Sequence, residues 1–361
     1  MYKVTIQPHW EITHDPDTPP LDTAVLLELL VAIQQTGSIA QAAQAIGLSY
    51  RYAWGLLRDV EKLFGNPLMD KGRGRGTVLT PLAEKLIWAD RRVAARLSPM
   101  LESLSSELER ELNKMAAEKS KSVRLHASHG FAVAALLNNI NIAKLPIELR
   151  YRNSTDAVAA LSRQECDLAG FHVPLGEFER PAVALYAQWL NPKTHRLIHL
   201  AVRSQGLFVA AGNPHGIHGL QDLSRNGVRF VNRQVGSGTR MLLELMLAGA
   251  SLSPKDINGF ENTEFTHSAV AAFIASGMAE VGFGVQTAAQ RFGLEFIPLV
   301  QERYFFALPV AALEAPLVQQ VIGIVQSASF REEVDALAGY DATDTGKILS
   351  LAEAFGSDAA R

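Results

Sequence analysis

One cysteine, Cys166, stands in the whole chain, so no internal disulfide is available and a buried structural thiol at a strand start is expected. Metal-binding spacings are equally scarce. Neither CxxC nor HExxH occurs, and among ten scattered histidines His195 and His199 read as an incidental pair. No apolar run approaches the length of a membrane span, and the N-terminal MYKVTIQPHWEITHDPDTPP has no core of signal-peptide length. A cytoplasmic chain with no membrane partner is therefore expected, which argues against an exported transport protein. Charge is modest too: 20% of residues are charged and the formal net charge is −3, beside 48% hydrophobic residues. Those values exclude a disordered chain, and 361 residues predict two or three domains.

What is present is concentrated in residues 36–81. Ile39, Ala42, Ala43 and Ile46 recur at i, i+3, i+4, i+7, the spacing of one buried helical face, and Ser38 is placed to cap it. Gly47-Leu48-Ser49 breaks the period, and Ala53, Leu56, Leu57, Val60 and Phe64 give the inward face of a second run. Two short helices joined by a glycine-containing turn predict a helix-turn-helix. Its outward face carries Ser49, Tyr50, Arg51, Trp54 and Arg58, polar and aromatic types that meet phosphates and base edges. Downstream, Lys71, Arg73 and Arg75 alternate with glycines between two short apolar segments, as in a β-hairpin wing. Residues 49–96 hold ten Lys/Arg against five Asp/Glu, so positive charge collects where a duplex would lie. An ordinary helical hairpin with solvated arginines would not account for that basic wing.

The run GSIAQAAQAIGLSYRYAWGLL, the Pro67-Leu68 pair after Asn66, the glycine-rich basic wing and the closing Leu79-Thr80-Pro81 together resemble the winged helix-turn-helix of ModE-type molybdate-responsive regulators. That module belongs to the wider LysR-type class, and Ser49-Tyr50-Arg51 with Ala53-Trp54 sets the ModE branch apart. The resemblance implies double-stranded operator DNA as partner, with Ser49, Tyr50 and Arg51 in the major groove and Arg73 and Arg75 along the flanking backbone. It covers about the first third of the chain.

Around this unit the chain reads simply. Residues 2–6 suit a short strand, and Asp22 can cap a first helix carrying Val25, Leu26, Leu29, Leu30 and Ile33 on one face. Pro81 opens a long helical stretch to about Lys119, with Ile87, Ala94, Leu97, Leu101, Leu104, Leu108 and Met115 near heptad spacing. A kink or restart is expected at Ser98-Pro99, with Ser98 as cap. The apolar seam predicts a homodimer or higher homo-oligomer, because two winged helices on a palindromic site need a two-fold interface. The domains expected are a winged helix-turn-helix over 1–81, a linker and dimerisation helix over 82–120, and a ligand-sensing domain over 121–361.

From Val123 the pattern alternates short apolar strands with helices, βαβαβ and then a repeat, which predicts parallel sheet in two α/β lobes. Crossings between lobes are expected near residues 201–205 and 299–304, with the tail from Ala311 returning to the first lobe. In Arg229–Arg240, RFVNRQVGSGTR, a strand ends at Asn232 and Gly236-Ser237-Gly238-Thr239 opens a helix, while Arg233 and Arg240 bring charge. Curled backbone, hydroxyls and cations describe an anion site, and the Walker A spacing is missing. Ser128 with His129, Ser154 with Thr155, and Thr266 with His267 stand at three further strand-to-helix turns. Each hydroxyl alone could be only a helix cap. Converging on one cleft, with no paired metal-binding carboxylates, they suit a tetrahedral oxyanion.

This half resembles type II periplasmic binding proteins, through NRQVGSGTR, the Ala271–Gly284 stretch AAFIASGMAEVGFG and the GYDATDTG near the end. More closely, it is similar to the binding-protein-like domain fused to ModE-type or MoeA-type modules, whose exported relatives carry molybdate or tungstate. ModE itself departs here, since its effector half is built from small β-barrels. The fold class expected is thus α+β and α/β: a winged helix-turn-helix with a long linker helix, then a two-lobed binding-protein-like domain. The function expected is a one-component transcription regulator with molybdate or tungstate as effector and no other cofactor. A small organic or molybdenum-cofactor-related ligand is the alternative. An enzyme is disfavoured, because Ser128 and His129, adjacent on one strand, point to opposite sides and make a poor nucleophile–base pair.

Overall fold

The computed structural model describes residues 2–13, 20–71, 76–116 and 122–356. Two compact units emerge, residues 7–97 and residues 1–6 with 98–361. In the first, three helices form where the caps and apolar periods place them. Asp22 accepts from the Ala24 N–H at 2.8 Å and starts Thr23–Thr36; Ser38 starts Ile39–Ala45; Ser49 accepts from Tyr52 N–H at 3.2 Å and starts Tyr50–Phe64. Leu26, Leu29, Leu30, Ile33, Ala42, Ala53, Leu57 and Val60 meet in one core, whereas Val25, Ile46, Leu56 and Phe64 reach only half-burial at its rim. The wing pairs Met69–Lys71 antiparallel with Thr77–Leu79. Its base is stitched to the end of the first helix by Thr77 N–H donating to the Gly37 carbonyl at 2.8 Å.

The helix Pro81–Ala116 belongs to both units. Ala83, Leu86 and Ile87 complete the helix-turn-helix core, and from Ser98 onward the helix belongs with the sensor. It runs unbroken through Pro99, so the restart capped by Ser98 does not occur. Proline lacks the N–H that would reach the carbonyl four residues earlier, so one hydrogen bond is lost while the helix continues on either side. Residues 2–6 form no strand either. They are held as an extended strap, with Val4 N–H and Lys3 Nζ donating to the Glu109 carboxylate and Lys3 Nζ also to Asn141 Oδ1. The donors of Lys3 and Val4 are thus met by side-chain acceptors.

The sensor is one sheet shared by two lobes. Its strands run Thr263–Glu264, Phe230–Arg233, Val281–Val285, His195–Val209, Glu295–Pro309, Leu168–Pro174, Val123–Ala127 and Ile147–Tyr151. The three outer strands on each side are parallel where they pair, as the βαβ reading requires. The two crossings prove to be single fifteen-residue strands, His195–Val209 and Glu295–Pro309, paired antiparallel along their length with two irregularities. One lobe is built on Leu125, Leu136, Ile198 and Phe306, the other on Leu207, Phe230, Leu243 and Phe283. Pro316–Gln326 and Ala328–Asp335 pack Val321, Ile322 and Phe330 into the first lobe, so the tail returns as expected. Cys166 is buried against the Ala157 carbonyl, and burial pushes its thiol up to about 12, an inert group. Among the described residues no helix is long and apolar enough to cross a membrane.

At Gly206 a Cβ would lie 2.0 Å from the Ile297 carbonyl oxygen of the other crossing strand. A backbone atom cannot swing aside as a side-chain tip can. Gly206→Ala is expected to destabilise the sensor by at least the about 1–3 kcal/mol of ordinary overpacking, read as a lower urea midpoint of its transition; an unchanged midpoint would show that the strands separate freely there.

Candidate ligand pocket and nucleic-acid interface

On the Tyr50–Phe64 helix, Ser49, Tyr50, Arg51 and Arg58 are exposed and Trp54 is half-buried, stacked on Tyr50 with ring centroids 6.3 Å apart. Ser49 Oγ serves as cap acceptor, which leaves its O–H as a donor to an outside oxygen. Tyr52, exposed to the same degree as Tyr50, joins the outward set although the sequence pattern did not single it out. Arg73, Arg75 and the Lys71 side chain fall outside the described residues.

In the sensor, helix starts and strand ends enclose a cavity of about 110 Å³ open to solvent. Ser128, His129, Arg233, Ser237, Gly238, Thr239 and His267 line it, as the sequence predicted. Four predicted groups do not. Ser154 lies behind the wall, its Oγ accepting from His172 N–H at 3.3 Å, and Thr155 spends its hydroxyl on Asn153 Oδ1 at 3.0 Å. Thr266 is a helix cap, accepting from Ala269 N–H at 2.9 Å. Arg240 turns to Glu244 and Glu261 and lies over the Phe260 ring, because two carboxylates and an aromatic face outside the cavity offer it more than the wall does. Residues missed by the sequence reading are Tyr151, Arg152, Asn153, His172, Arg203, Gln234 and Phe265. Asn153 had a cue in the Asn-Ser-Thr turn. His172 and Arg203 sit inside strands, where nothing in the pattern marks an inward polar group.

The wall is rich in donors. Gly236, at φ +82, turns the chain after Arg233 into the Gly238–Gly249 helix. The first intrahelical bond there is from Met241 N–H to Ser237 O, and Ser237 Oγ takes the Arg240 N–H. The N–H groups of Gly238 and Thr239 are thus the ones left for a ligand, at the positive end of the helix. Arg233 is buried, donates through Nη2 to the Phe265 carbonyl at 2.8 Å, and has no partner on Nε. Burial, then repulsion from Arg203, lowers its pKa to about 9. An anion beside it would reverse that shift. Arg203 is already neutralised: its Nε donates to Glu302 Oε1 at 2.6 Å, and the two residues are register partners on the crossing strands. His129 is pushed down to about 4 by burial and Arg233, and His172 and His267 well below the usual range by burial and the two arginines. At neutral pH the pocket therefore presents neutral imidazoles, the buried Arg233 guanidinium and, at its rim, the exposed Arg152.

The wall offers many hydrogen-bond donors, and its serine–histidine and histidine–glutamate approaches are long. Ser128 Oγ lies 3.4 Å from His172 Nδ1, and His172 Nε2 lies 3.8 Å from Glu302, both longer than the about 2.6–3.2 Å of a tight general-base contact. Glu302 is engaged by Arg203, and the imidazole is made less basic rather than more. Among the described residues no group of His, Cys, Asp and Glu is arranged to hold a metal ion.

Comparison with known proteins follows the two units. Residues 25–84 match the profile described as bacterial regulatory helix-turn-helix protein, lysR family, and residues 137–326 match the PBP superfamily domain. The uncharacterized protein YvgK of Bacillus subtilis is 32% identical over 203 residues, 55% of this chain and 64% of YvgK. The molybdenum-pterin-binding protein MopB of Rhodobacter capsulatus is 33% identical over 150 residues, 39% of this chain and 54% of MopB. The transcriptional regulator ModE of Haemophilus influenzae is 42% identical over 65 residues, 17% of this chain and 26% of ModE. The chain spans less than two thirds of the length of each of these relatives. With more than half of its residues in the second match, behind a LysR-type helix-turn-helix, the chain belongs to the PBP superfamily.

Proposed function

We propose that this is a cytoplasmic one-component transcription regulator that binds operator DNA through its winged helix-turn-helix and senses a tetrahedral oxyanion, molybdate or tungstate, in the sensor pocket. The observation that carries the ligand class is the buried Arg233 guanidinium, unpartnered at Nε, on a small cavity whose other donors include hydroxyls, side-chain amides, the Arg152 guanidinium and helix-start N–H groups. About 110 Å³ holds three or four waters at about 30 Å³ each, well below the about 300–1,000 Å³ of pockets for drug-sized ligands. The names of MopB and ModE support molybdenum as the element. Ligand binding shifts the protein toward whichever lobe arrangement holds the anion more tightly, and by no more than that preference.

The same reading makes the protein a dimer. Met100, Leu104, Leu108 and Leu112 are 44–60% exposed along one helix at four-residue intervals, an apolar stripe with the length to seat a second copy.

Three outcomes test the reading. Arg233→Ala is expected to abolish the heat of molybdate or tungstate binding in calorimetry while leaving DNA binding intact; wild-type protein silent to both oxyanions but responsive to an organic molecule would overturn the ligand. Arg51→Ala should weaken operator binding by about 1–3 kcal/mol if it makes a bidentate base contact, and equal binding in a salt titration would displace the reading head. Leu104→Glu with Leu108→Glu should sediment as a folded monomer, whereas an unchanged dimer would move the interface elsewhere.

A further inference from the structure

The helix Pro81–Ala116 is hydrogen-bonded to the sensor at the edge strand Ile147–Tyr151. The outward N–H groups of that strand, at alternate residues, are taken by serine hydroxyls of the helix: Leu149 N–H donates to Ser106 Oγ at 3.0 Å and Tyr151 N–H to Ser103 Oγ at 3.2 Å. These two bonds fix the helix on the sheet through backbone donors of the strand. A third bond is different. Tyr151 Oη donates to Glu102 Oε2 on the helix at 2.6 Å, and Tyr151 also lines the pocket. Its ring meets the edge of the pocket imidazole His129, with centroids 5.2 Å apart, and the two residues after it, Arg152 and Asn153, continue the pocket wall.

We infer that Tyr151 and Glu102 form the contact through which occupancy of the pocket is passed to the linker helix, Tyr151 acting as a positioning residue with one end on the ligand side and its hydroxyl on the helix. This deepens the proposed function and rests on the pocket being the effector site. The physical basis is the stiffness of the tyrosine. A planar ring has two soft torsions, so a displacement at His129 or in the strand end must move Oη relative to Glu102. The carboxylate either follows, carrying the helix, or loses a charge-assisted bond. Beyond Glu102, the strap bond from Val4 N–H to Glu109 holds the next two turns, and the helix continues without a break back through Pro99 into the helix-turn-helix core. Linkage makes the coupling reciprocal: what the pocket does to Glu102, a change at Glu102 must do to the pocket.

The test uses the full-length chain, molybdate as the probe, calorimetry for affinity and amide hydrogen exchange for the helix. In wild type, molybdate should change exchange across residues 98–112. Glu102→Ala should lose that change while binding molybdate within about threefold of wild type. Glu102→Gln, which keeps an acceptor for Tyr151 Oη, should restore it, a rescue that mere packing would not give. Without any ligand, Glu102→Ala should also speed exchange at residues 151–162 on the pocket side. A Glu102→Ala protein that keeps the full ligand-induced change, or that weakens molybdate binding more than tenfold, would overturn the inference. So would an unaltered 151–162 segment in the unliganded variant. If wild type shows no molybdate heat while the unliganded effect is present, the effector reading falls and the coupling stands.

Discussion

The sensor depends on one buried ion pair. Arg203 and Glu302 face each other on the two strands that both lobes share, each almost wholly excluded from water. Removing either partner of such a pair leaves a buried charge and costs roughly 3–5 kcal/mol, far more than the pair contributes over an apolar substitute. The pair therefore acts less as a source of stability than as a constraint on register. A slip of one residue between the fifteen-residue strands would turn one of them over relative to the other and set the two charges on opposite faces of the sheet. Because the strands carry one lobe at each end, their register also sets which helix starts face each other across the pocket.

The same pair decides the charge of the pocket. Glu302 cancels Arg203, so Arg233 alone remains unpartnered at its Nε, and the three imidazoles are held neutral by burial and by the arginines. A dianion at this wall would meet the guanidinium groups of Arg233 and Arg152 and several dipoles.

Much of this was legible in the sequence where local rules and tertiary demands agree. The caps at Asp22, Ser38 and Ser49, the apolar faces of the three helices and the wing around the glycine-rich run all follow from spacing. In the sensor, Gly236-Ser237-Gly238 signalled a helix start facing a ligand, and Ser237 and Gly238 line the pocket. What was hidden is what spacing cannot encode. Arg203 and His172 lie within strands whose alternation reads as ordinary core, and only the three-dimensional crossing brings them to the pocket. Arg240 misled for the opposite reason: it stands in the right motif, but Glu244 one turn on and Glu261 from another segment draw it away. The strap at residues 2–6 had strand-like residues and no strand to pair with.

The serines at 103 and 106 have one more consequence. They occupy the outward N–H groups of Leu149 and Tyr151 and so close the border of the sheet beyond Val123–Ala127. A sensor domain cut free at residue 122 would lose that cover and offer a bare row of backbone donors and acceptors, the usual template for strand addition and self-association. The linker helix is thus also a guard against aggregation, and the natural dissection point of this protein lies within the helix, ahead of Ser98, rather than at the polar stretch that follows it.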